Sequence, residues 1–321
     1  MLRYIIRRVL WLIFVLFVIT LITFTIFYVM PPTDPAVSFA GKAPTQETLD
    51  AVRNTFGLNR PLHVQYFLFV KRFFLGDQYG WPGLGFSFAT RTAIRASVVP
   101  RAWVTAQLAM GAAATWLLLG IPIGIISALK RRSLADRAAM GFALFGVSAP
   151  VFWLGLIGLF IFWRKLGISL GTGYVPFATS PAAWFGHFWL AWLVLALLYA
   201  AFYARIVRGN MIEVMSEDYI RTARAKGLSE RRVVIKHGLR ASLTPIVTLF
   251  GLDFGSLLGG AIITETVFNI PGLGPYTINA VYRGDLPVVL AVTMFGAFAI
   301  TFFTLVVDVV YAYVDPRVRY E

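Results

Sequence analysis

The chain contains few charged residues for its length. Asp, Glu, Lys and Arg make up 14% of its 321 residues, whereas hydrophobic residues make up 58% and the mean hydropathy is +0.73. A water-soluble domain of this length carries about a quarter charged residues, because its surface faces water. The composition therefore argues against an ordinary soluble domain and indicates a membrane protein.

Cysteine is absent and histidine is rare. Without cysteine the chain forms no disulfides and no thiolate metal site, and the three histidines are too scattered to make a metal cluster by themselves. The sequence also lacks the G-x-x-x-x-G-K-[ST] loop that binds nucleotide phosphates. We therefore predict no metal, no cofactor and no catalytic residue in this chain. If ATP powers the protein, another subunit must hydrolyse it.

The hydrophobic residues are concentrated in long runs with little or no charge. Val9–Met30 holds 22 residues without Asp, Glu, Lys or Arg, and as a helix of about 33 Å it spans a bilayer core. The pattern predicts an all-α polytopic membrane protein with six spans. The other five are Ala102–Leu129, Ala138–Trp163, about Phe188 to Ala204, Ala241–Thr264 and Leu286–Val307.

Basic residues are distributed unequally between the two sides of the membrane. Short segments on the side shared by both termini carry 18 Lys and Arg, against three in the opposite short segments. The other eight lie in a long loop, where the positive-inside rule loses force. The asymmetry predicts cytoplasmic termini. It also accounts for most of the net charge of +14, so nucleic-acid binding is not expected.

The predicted organisation has three regions. Residues 1–30 form the N-terminus and first span, 31–98 an external region, and 99–321 the permease core. The first apolar run exceeds the 7–15 residues usual in a signal peptide, which favours an uncleaved anchor. In the external region Thr45 and Gly57 delimit one short helix, and Pro61 and Gly76 another. The second helix has an apolar face, which suits an interfacial helix lying on the membrane or against the bundle or, alternatively, a docking surface for an external binding protein.

The most informative hydrophilic stretch is 211–240, between the fourth and fifth spans. Its sequence predicts two short helices: Ser216 caps the first, Gly227 ends it, and Ser229 caps the second. One face of the first helix combines, at helical spacing, Tyr219, Thr222, Ala223 and Lys226. Small residues there would let another protein approach closely. The alternative is an ordinary basic loop held to anionic headgroups.

This stretch resembles the cytoplasmic EAA segment of permeases of ATP-binding-cassette (ABC) importers, and more narrowly that of the dipeptide/oligopeptide family. The general pattern E-A-A-x3-G-x9-I-x-L-P corresponds here, where its residues can be aligned, to Arg221, Thr222, Ala223, Gly227 and Leu239. The isoleucine and proline positions hold His237 and Arg240, which agrees with the peptide branch. The likeness covers nearly the whole chain and includes Met1–Arg8, Ala149–Gly155, Gly259–Ala261, Glu265–Phe268, Pro271–Gly274 and Asp315–Arg317. Trp81–Leu84 looks like an insertion relative to the family.

The resemblance implies the type I ABC importer transmembrane fold in the bacterial inner membrane. It also implies a heterodimer with a second, paralogous permease, two cytoplasmic ATPase subunits that bind ATP and Mg, and an external substrate-binding protein. Segment 211–240 would dock on an ATPase as a coupling helix, where its basic side chains can pair with acidic groups. The coupling residues implied are Glu217, Asp218, Tyr219, Arg221, Thr222, Ala223, Arg224, Ala225, Lys226 and Gly227.

The predicted fifth span carries a glycine ridge and one charge. Gly251, Gly255 and Gly259 recur every four residues, which lets another helix pack closely. Asp253 lies about 200° around the helix from Gly251. It would therefore present a carboxylate to the translocation pathway, where a peptide's amino terminus could meet it; the alternative is a structural, hydrogen-bonded aspartate. Glu265, at the predicted outer mouth, is a hypothetical part of an external gate.

Other functions remain open at this stage. A self-sufficient secondary transporter would show internal repeats and several intramembrane charges, and a membrane enzyme would show a catalytic cluster within the spans. Neither pattern is evident. Within the importer interpretation, di- or oligopeptides are the expected substrates, with glutathione or a nickel chelate as alternatives, because substrate identity resides largely in the external binding protein.

Overall fold

The computed structural model describes residues 2–30, 34–41 and 44–314, so the basic Arg317 and Arg319 lie outside the described residues. Apart from the hairpin of β1 (Phe86–Ser87) and β2 (Thr92–Ala93), the described elements are helices. In chain order they are α1 (Leu2–Phe24), α2 (Pro35–Ala40), α3 (Gln46–Phe56), α4 (Leu62–Leu75), α5 (Ile94–Leu129), α6 (Leu134–Ser148), α7 (Val151–Gly158), α8 (Pro181–Val214), α9 (Asp218–Ala225), α10 (Glu230–Arg232), α11 (Arg240–Ser242), α12 (Thr244–Leu258), α13 (Ile262–Val267), α14 (Leu273–Arg283) and α15 (Leu286–Val314). Wider π-helical turns extend α1 (Thr25–Val29) and α7 (Leu159–Lys165) and join α10 to α11 (Val233–Leu239).

Within the described residues, four helices are long and apolar enough to cross a membrane, and two bent pairs raise the number to six if each pair is one span. The four are Ile5–Val29, Ile94–Leu129, Pro181–Val214 and Leu286–Val307. The predicted third span is not one straight helix, since α6 and the helix after Pro150 meet at 104°. Proline lacks an N–H and keeps the preceding residue out of the helical region, which explains the break there.

The predicted fifth span differs from the structure at both ends. Its helical pair consists of Glu230–Ser242 and Pro245–Leu258, bent by 55°, so it begins before the predicted Ala241. It ends before Thr264, because Gly260 adopts a left-handed φ of +121° and the chain turns into the separate helix α13.

Helices α5 and α8 form the most extensive contact in the bundle. Small residues let the two backbones approach: a Cβ added at Gly124 would lie 2.7 Å from the Ala204 carbonyl oxygen, and one at Gly120 would lie 2.9 Å from that of Ala200. Trp116 is fully buried in the core beside this crossing. In a membrane, such close van der Waals packing replaces the hydrophobic effect between helices.

The external region folds against the bundle. Thr45 and Gly57 delimit α3 as predicted, with the Thr45 hydroxyl accepting the Thr48 N–H and Gly57 in the left-handed region. Helix α4 packs on α1, where the Tyr66 and Thr20 hydroxyls are 2.8 Å apart. The amphipathic helix predicted from Pro61 is therefore confirmed, and its apolar face contacts protein.

The glycines of α12 face α15. A Cβ at Gly251 would lie 2.5 Å from a Val307 methyl carbon, and one at Gly255 would lie 2.9 Å from the Ile300 Cα. Gly259 comes close to Gly296 on the opposing helix. The ridge thus lets these two spans pack with their backbones nearly in contact.

Replacing Gly255 with Ala should weaken the contact between α12 and α15. The new Cβ would meet backbone of α15, which cannot move aside without shifting that helix. We expect a loss of about 1–3 kcal/mol, measured by thermal unfolding in detergent. In the control Gly141→Ala, the new Cβ meets no atom within 4 Å; stability should stay level or rise by up to about 1 kcal/mol. Equal losses in the two variants would contradict this packing.

Candidate functional site

The segment between α8 and α12 forms the short helices α9, α10 and α11, and its Val234 belongs to the hydrophobic core of the bundle. Its first helix, α9, begins at Asp218, with Glu217 in the N-cap position. The predicted cap at Ser216 is wrong, because that hydroxyl donates to the Glu213 carbonyl oxygen at 2.6 Å. Gly227 ends the helix in the left-handed conformation, with a φ of +75°.

One face of α9 is buried against the rest of the segment. Ile220 and Ala223 pack with Val233 in a small apolar cluster, beside Met215 and Leu228. Ala223 is only 6% exposed. The prediction that Ala223 gives a partner protein room to approach is therefore wrong in this structure. Its small side chain instead lets α9 sit close to the helix that follows.

The other face of α9 is exposed and rich in charge. Arg221 pairs with Asp218 at 3.2 Å, and Arg224 donates to both carboxylate oxygens of Glu230, at 2.7 and 3.1 Å. Exposed ion pairs of this kind contribute about 0–1 kcal/mol, so a partner can replace them at small cost. The exposed residues are Glu217, Asp218, Tyr219, Arg221, Thr222, Arg224, Ala225, Lys226 and Gly227.

This end of the bundle is tied together by a carboxylate that the sequence analysis missed. Asp136, at the start of α6, accepts two hydrogen bonds from the Arg208 guanidinium, at 2.7 and 2.9 Å. It also accepts the Ser127 hydroxyl at 2.5 Å and the Arg132 N–H at 2.9 Å. Helices α5, α6 and α8 therefore meet at one anion, six residues before α8 ends. The sequence signal that could have identified this site is Asp136 itself, a lone acidic residue in the basic stretch 130–137.

Asp253 points from α12 towards α8. Its carboxylate accepts the Tyr203 hydroxyl at 2.8 Å, and the side chain is half-buried. Tyr203 belongs to an aromatic group in which Trp116 and Tyr199 stack with their rings 4.6 Å apart. On the same side of α12, Leu252 and Ser256 are exposed. The aspartate therefore makes an internal hydrogen bond and still reaches the surface of this chain.

Glu265 occupies a different environment from the one predicted. It is fully buried on α13, and its carboxylate accepts the Thr105 hydroxyl at 2.7 Å and the Gly274 N–H at 2.8 Å. Thr105 in turn accepts the Leu273 N–H at 2.9 Å. Burial raises the pKa of the Glu265 carboxyl, while these donors oppose the rise.

The Glu265 carboxylate thus joins α5, α13 and the first turn of α14. The hypothesis that it faces the pathway as a gate is wrong in this structure, because it has no exposed surface. The sequence signal was the nearby Pro271–Gly274 turn. A Cβ on Gly272 would overlap the carboxyl group, so the turn needs glycine for the glutamate to fit.

We find no metal site in the described part of the chain. Among residues 2–30, 34–41 and 44–314, no three Asp, Glu or His side chains lie close enough to hold a metal ion. Asp136, Asp253 and Glu265 are instead engaged by Arg, Ser, Thr, Tyr and backbone donors.

Comparison with known families accounts for nearly the whole chain. Residues 120–320 match the family described as binding-protein-dependent transport system inner membrane component. Residues 1–109 match the N-terminal region described for the same transport systems. The N-terminal match ends inside α5 and the other begins further along the same helix, so together they include the external region as well as the core.

Individual relatives are similar over their full length. A Brucella abortus protein named for a peptide transport system permease is 37% identical over 317 residues, covering 99% of each chain. The glutathione transport system permease protein GsiC of Escherichia coli is 38% identical over 321 residues, covering 100% of each. The inward-facing MetNI methionine ABC transporter shares the fold, with a TM-score of 0.53 at 18% identity over 69% of this chain and 98% of its own.

Breaking the hydrogen bonds of either partner in the Thr105–Glu265 pair should destabilise the protein. Thr105→Val and Glu265→Gln each leave buried polar groups without their partner, at about 1–3 kcal/mol. Because the two side chains share one network, we expect the double variant to cost less than the sum, by about 0.5–3 kcal/mol. Thermal unfolding in detergent measures all three variants.

The control for this cycle is Thr266→Val. Thr266 is exposed next to Glu265, and its hydroxyl donates to a carbonyl of its own helix. Its stability should change by less than about 0.5 kcal/mol. Strict additivity of Thr105→Val and Glu265→Gln would show that the two side chains do not act together.

Proposed function

Because this chain belongs to the family of binding-protein-dependent transport system inner membrane components, and is thus a permease of an ABC importer, we propose that it imports di- or oligopeptides. It is a multi-pass inner membrane protein. In our proposal both termini are cytoplasmic, since the Arg208–Asp136 pair brings the basic stretches 130–137 and 205–240 to one end of the bundle, and basic segments favour the cytoplasmic side.

We propose that α9 docks on a cytoplasmic ATPase, and one observation carries this. The helix has a buried apolar base and an exposed charged face, and it directly follows α8, the helix most extensively packed in the bundle. A force applied to α9 would therefore reach the core through a rigid element. The exposed Arg221, Arg224 and Lys226 suit an acidic groove on the partner.

The proposed complex contains this chain, a second and paralogous permease, two ATPase subunits and an external substrate-binding protein. ATP and Mg would be bound by the ATPases, and this chain would supply no catalytic residue. When the two ATPases close around bound ATP, they would draw together the coupling helices of the two permeases. The permeases would then rock between inward- and outward-facing states, each ligand favouring the state it binds better.

Peptides are the favoured substrate class. Full-length relatives at 37–38% identity bear names for peptide or glutathione transport, and glutathione is itself a modified tripeptide. Glutathione is therefore the second candidate. In both cases the substrate carries an amino group, and we propose that Asp253 meets it, since this carboxylate reaches the surface of a span. Its hydrogen bond to Tyr203 would fix its orientation.

Substituting Trp for the exposed Ala225 should separate the permease from its ATPase. Purified from its native membrane in mild detergent, the unaltered chain should bring a second permease and one or two P-loop ATPases, identified by mass spectrometry. Ala225→Trp adds bulk to the exposed face of α9 without entering its apolar base. We expect it to keep the second permease, to lose most of the ATPase and to abolish uptake.

Ala135→Trp is the matched control. Ala135 is also exposed at this end of the bundle, next to Asp136 but on α6 rather than α9. It should retain both partners and transport normally. If the unaltered chain were recovered alone, reproducibly and folded, the importer complex would be refuted and a self-sufficient transporter would become the leading idea.

Asp253→Asn should lower the uptake of peptides with a free amino terminus more than that of N-acetylated peptides. Loss of a charge-assisted hydrogen bond costs about 1.4 kcal/mol or more, so uptake of a peptide with a free amino terminus should fall about tenfold. Uptake of the same peptide after N-acetylation should change little. Tyr203→Phe keeps the carboxylate and should preserve the preference for the free amine. Equal losses for the two peptides would assign Asp253 a packing role.

A further inference from the structure

An apolar groove lies at the end of the bundle that carries the external region. It has a volume of about 410 Å³ and is bordered by α4, the Trp81–Pro82 loop, α5 and α15. Its lining is almost entirely carbon, so a polar ligand would find no hydrogen bonds inside it. Trp81 and Trp103 stand at its rim, 66% and 62% exposed.

Along the α5 side of the groove, one charged residue is followed by apolar residues. Arg95, Val99, Ala102 and Ala106 follow one another at i, i+4, i+7 and i+11, so they share one face of the helix. The last three line the groove, and the Arg95 guanidinium lies beside Trp81 at its mouth, because its Nε donates to the Trp81 carbonyl oxygen. From Arg95 to Ala106 the helix rises about 16 Å, close to the hydrocarbon depth of one leaflet, about 15 Å.

The mouth is built by the loop that looks like an insertion. The Arg95 Nε donates to the Trp81 carbonyl oxygen at 2.7 Å, and the Trp81 indole N–H donates to the Phe74 carbonyl oxygen at 3.1 Å. These bonds hold the tryptophan over the groove and orient the guanidinium. Within the part of the chain that the structure describes, the terminal nitrogens of Arg95 make no hydrogen bond or ion pair.

We propose that this groove binds one phospholipid, with its phosphate at Arg95 and an acyl chain against Val99, Trp103 and Phe298. A cation followed by a dry apolar channel matches a molecule with an anionic head and a hydrocarbon tail. Guanidinium–phosphate pairs are strong, and tryptophan favours the headgroup level of a bilayer. A lipid held here would brace the external region against α5 and α15.

Native mass spectrometry of the full-length protein with its co-purifying subunits tests this proposal. In mild detergent with a diacyl phospholipid, the unaltered protein should retain one lipid at this site. Ala106→Trp fills the groove and should lower lipid occupancy at least tenfold, and Arg95→Gln should lower it about tenfold. Ala114→Trp places the same indole on an exposed position about two turns further along α5 and should leave occupancy unchanged.

Equal occupancy in Ala106→Trp and Ala114→Trp would overturn the proposal. So would equal affinity for glycerol phosphate, which has the phosphate but no acyl chain, because Arg95 would then be an anion site alone.

Photo-crosslinking identifies the occupant independently of these variants. The chain has no cysteine, so Trp103→Cys carries a benzophenone label at one position. In native membranes we expect a phospholipid adduct. An adduct with a second permease would show that the groove is a protein interface and would refute the lipid site.

Discussion

The close approach of α5 and α8 is the contact on which the other features of the structure depend. In a bilayer the lipid chains are as apolar as leucine, so burying leucine between helices gains little and packing distance decides the stability. Gly120 and Gly124 have no side chain that would hold these two backbones apart. Helix α8 is fixed by this contact in the core and continues without a break to within four residues of α9. In the proposed coupling, movement of α9 would reach the core through a helix that these two glycines hold in close contact with α5.

Three carboxylates supply directional contacts that van der Waals packing lacks. Asp136 joins α5, α6 and α8 near the basic end, Asp253 joins α12 to α8, and Glu265 joins α5 to α13 and α14. Each is engaged by donors, because an unpaired charge in a low-dielectric interior is expensive. They differ in exposure: Glu265 is sealed, whereas Asp253 reaches the surface. This difference is the reason that Asp253, and not Glu265, is the carboxylate proposed to meet the substrate.

Local signals in the sequence were reliable where the predicted feature depends only on nearby residues. Thr45 and Gly57 delimit α3, and Gly227 ends α9, because caps and left-handed stops act within a few residues. The same reasoning failed at Ser216, whose hydroxyl bonds the preceding turn instead of capping α9. As a cap the hydroxyl oxygen would accept a backbone N–H of α9, whereas here the hydroxyl donates to the Glu213 carbonyl oxygen; the path of the chain between α8 and α9 selects between the two bonds.

The sequence by itself determined the membrane class, the number of apolar runs, the basic asymmetry and the segment that resembles a coupling helix, since composition and short motifs carry these properties. Only the tertiary structure decided which face of each helix packs against the rest of the protein and which stays exposed. Ala223 and Glu265 were expected at surfaces and are buried, while Arg95 came to stand at the mouth of an apolar groove. Helical spacing defines a face, but which neighbour covers that face depends on residues far away in the chain, and a motif contains no information about them.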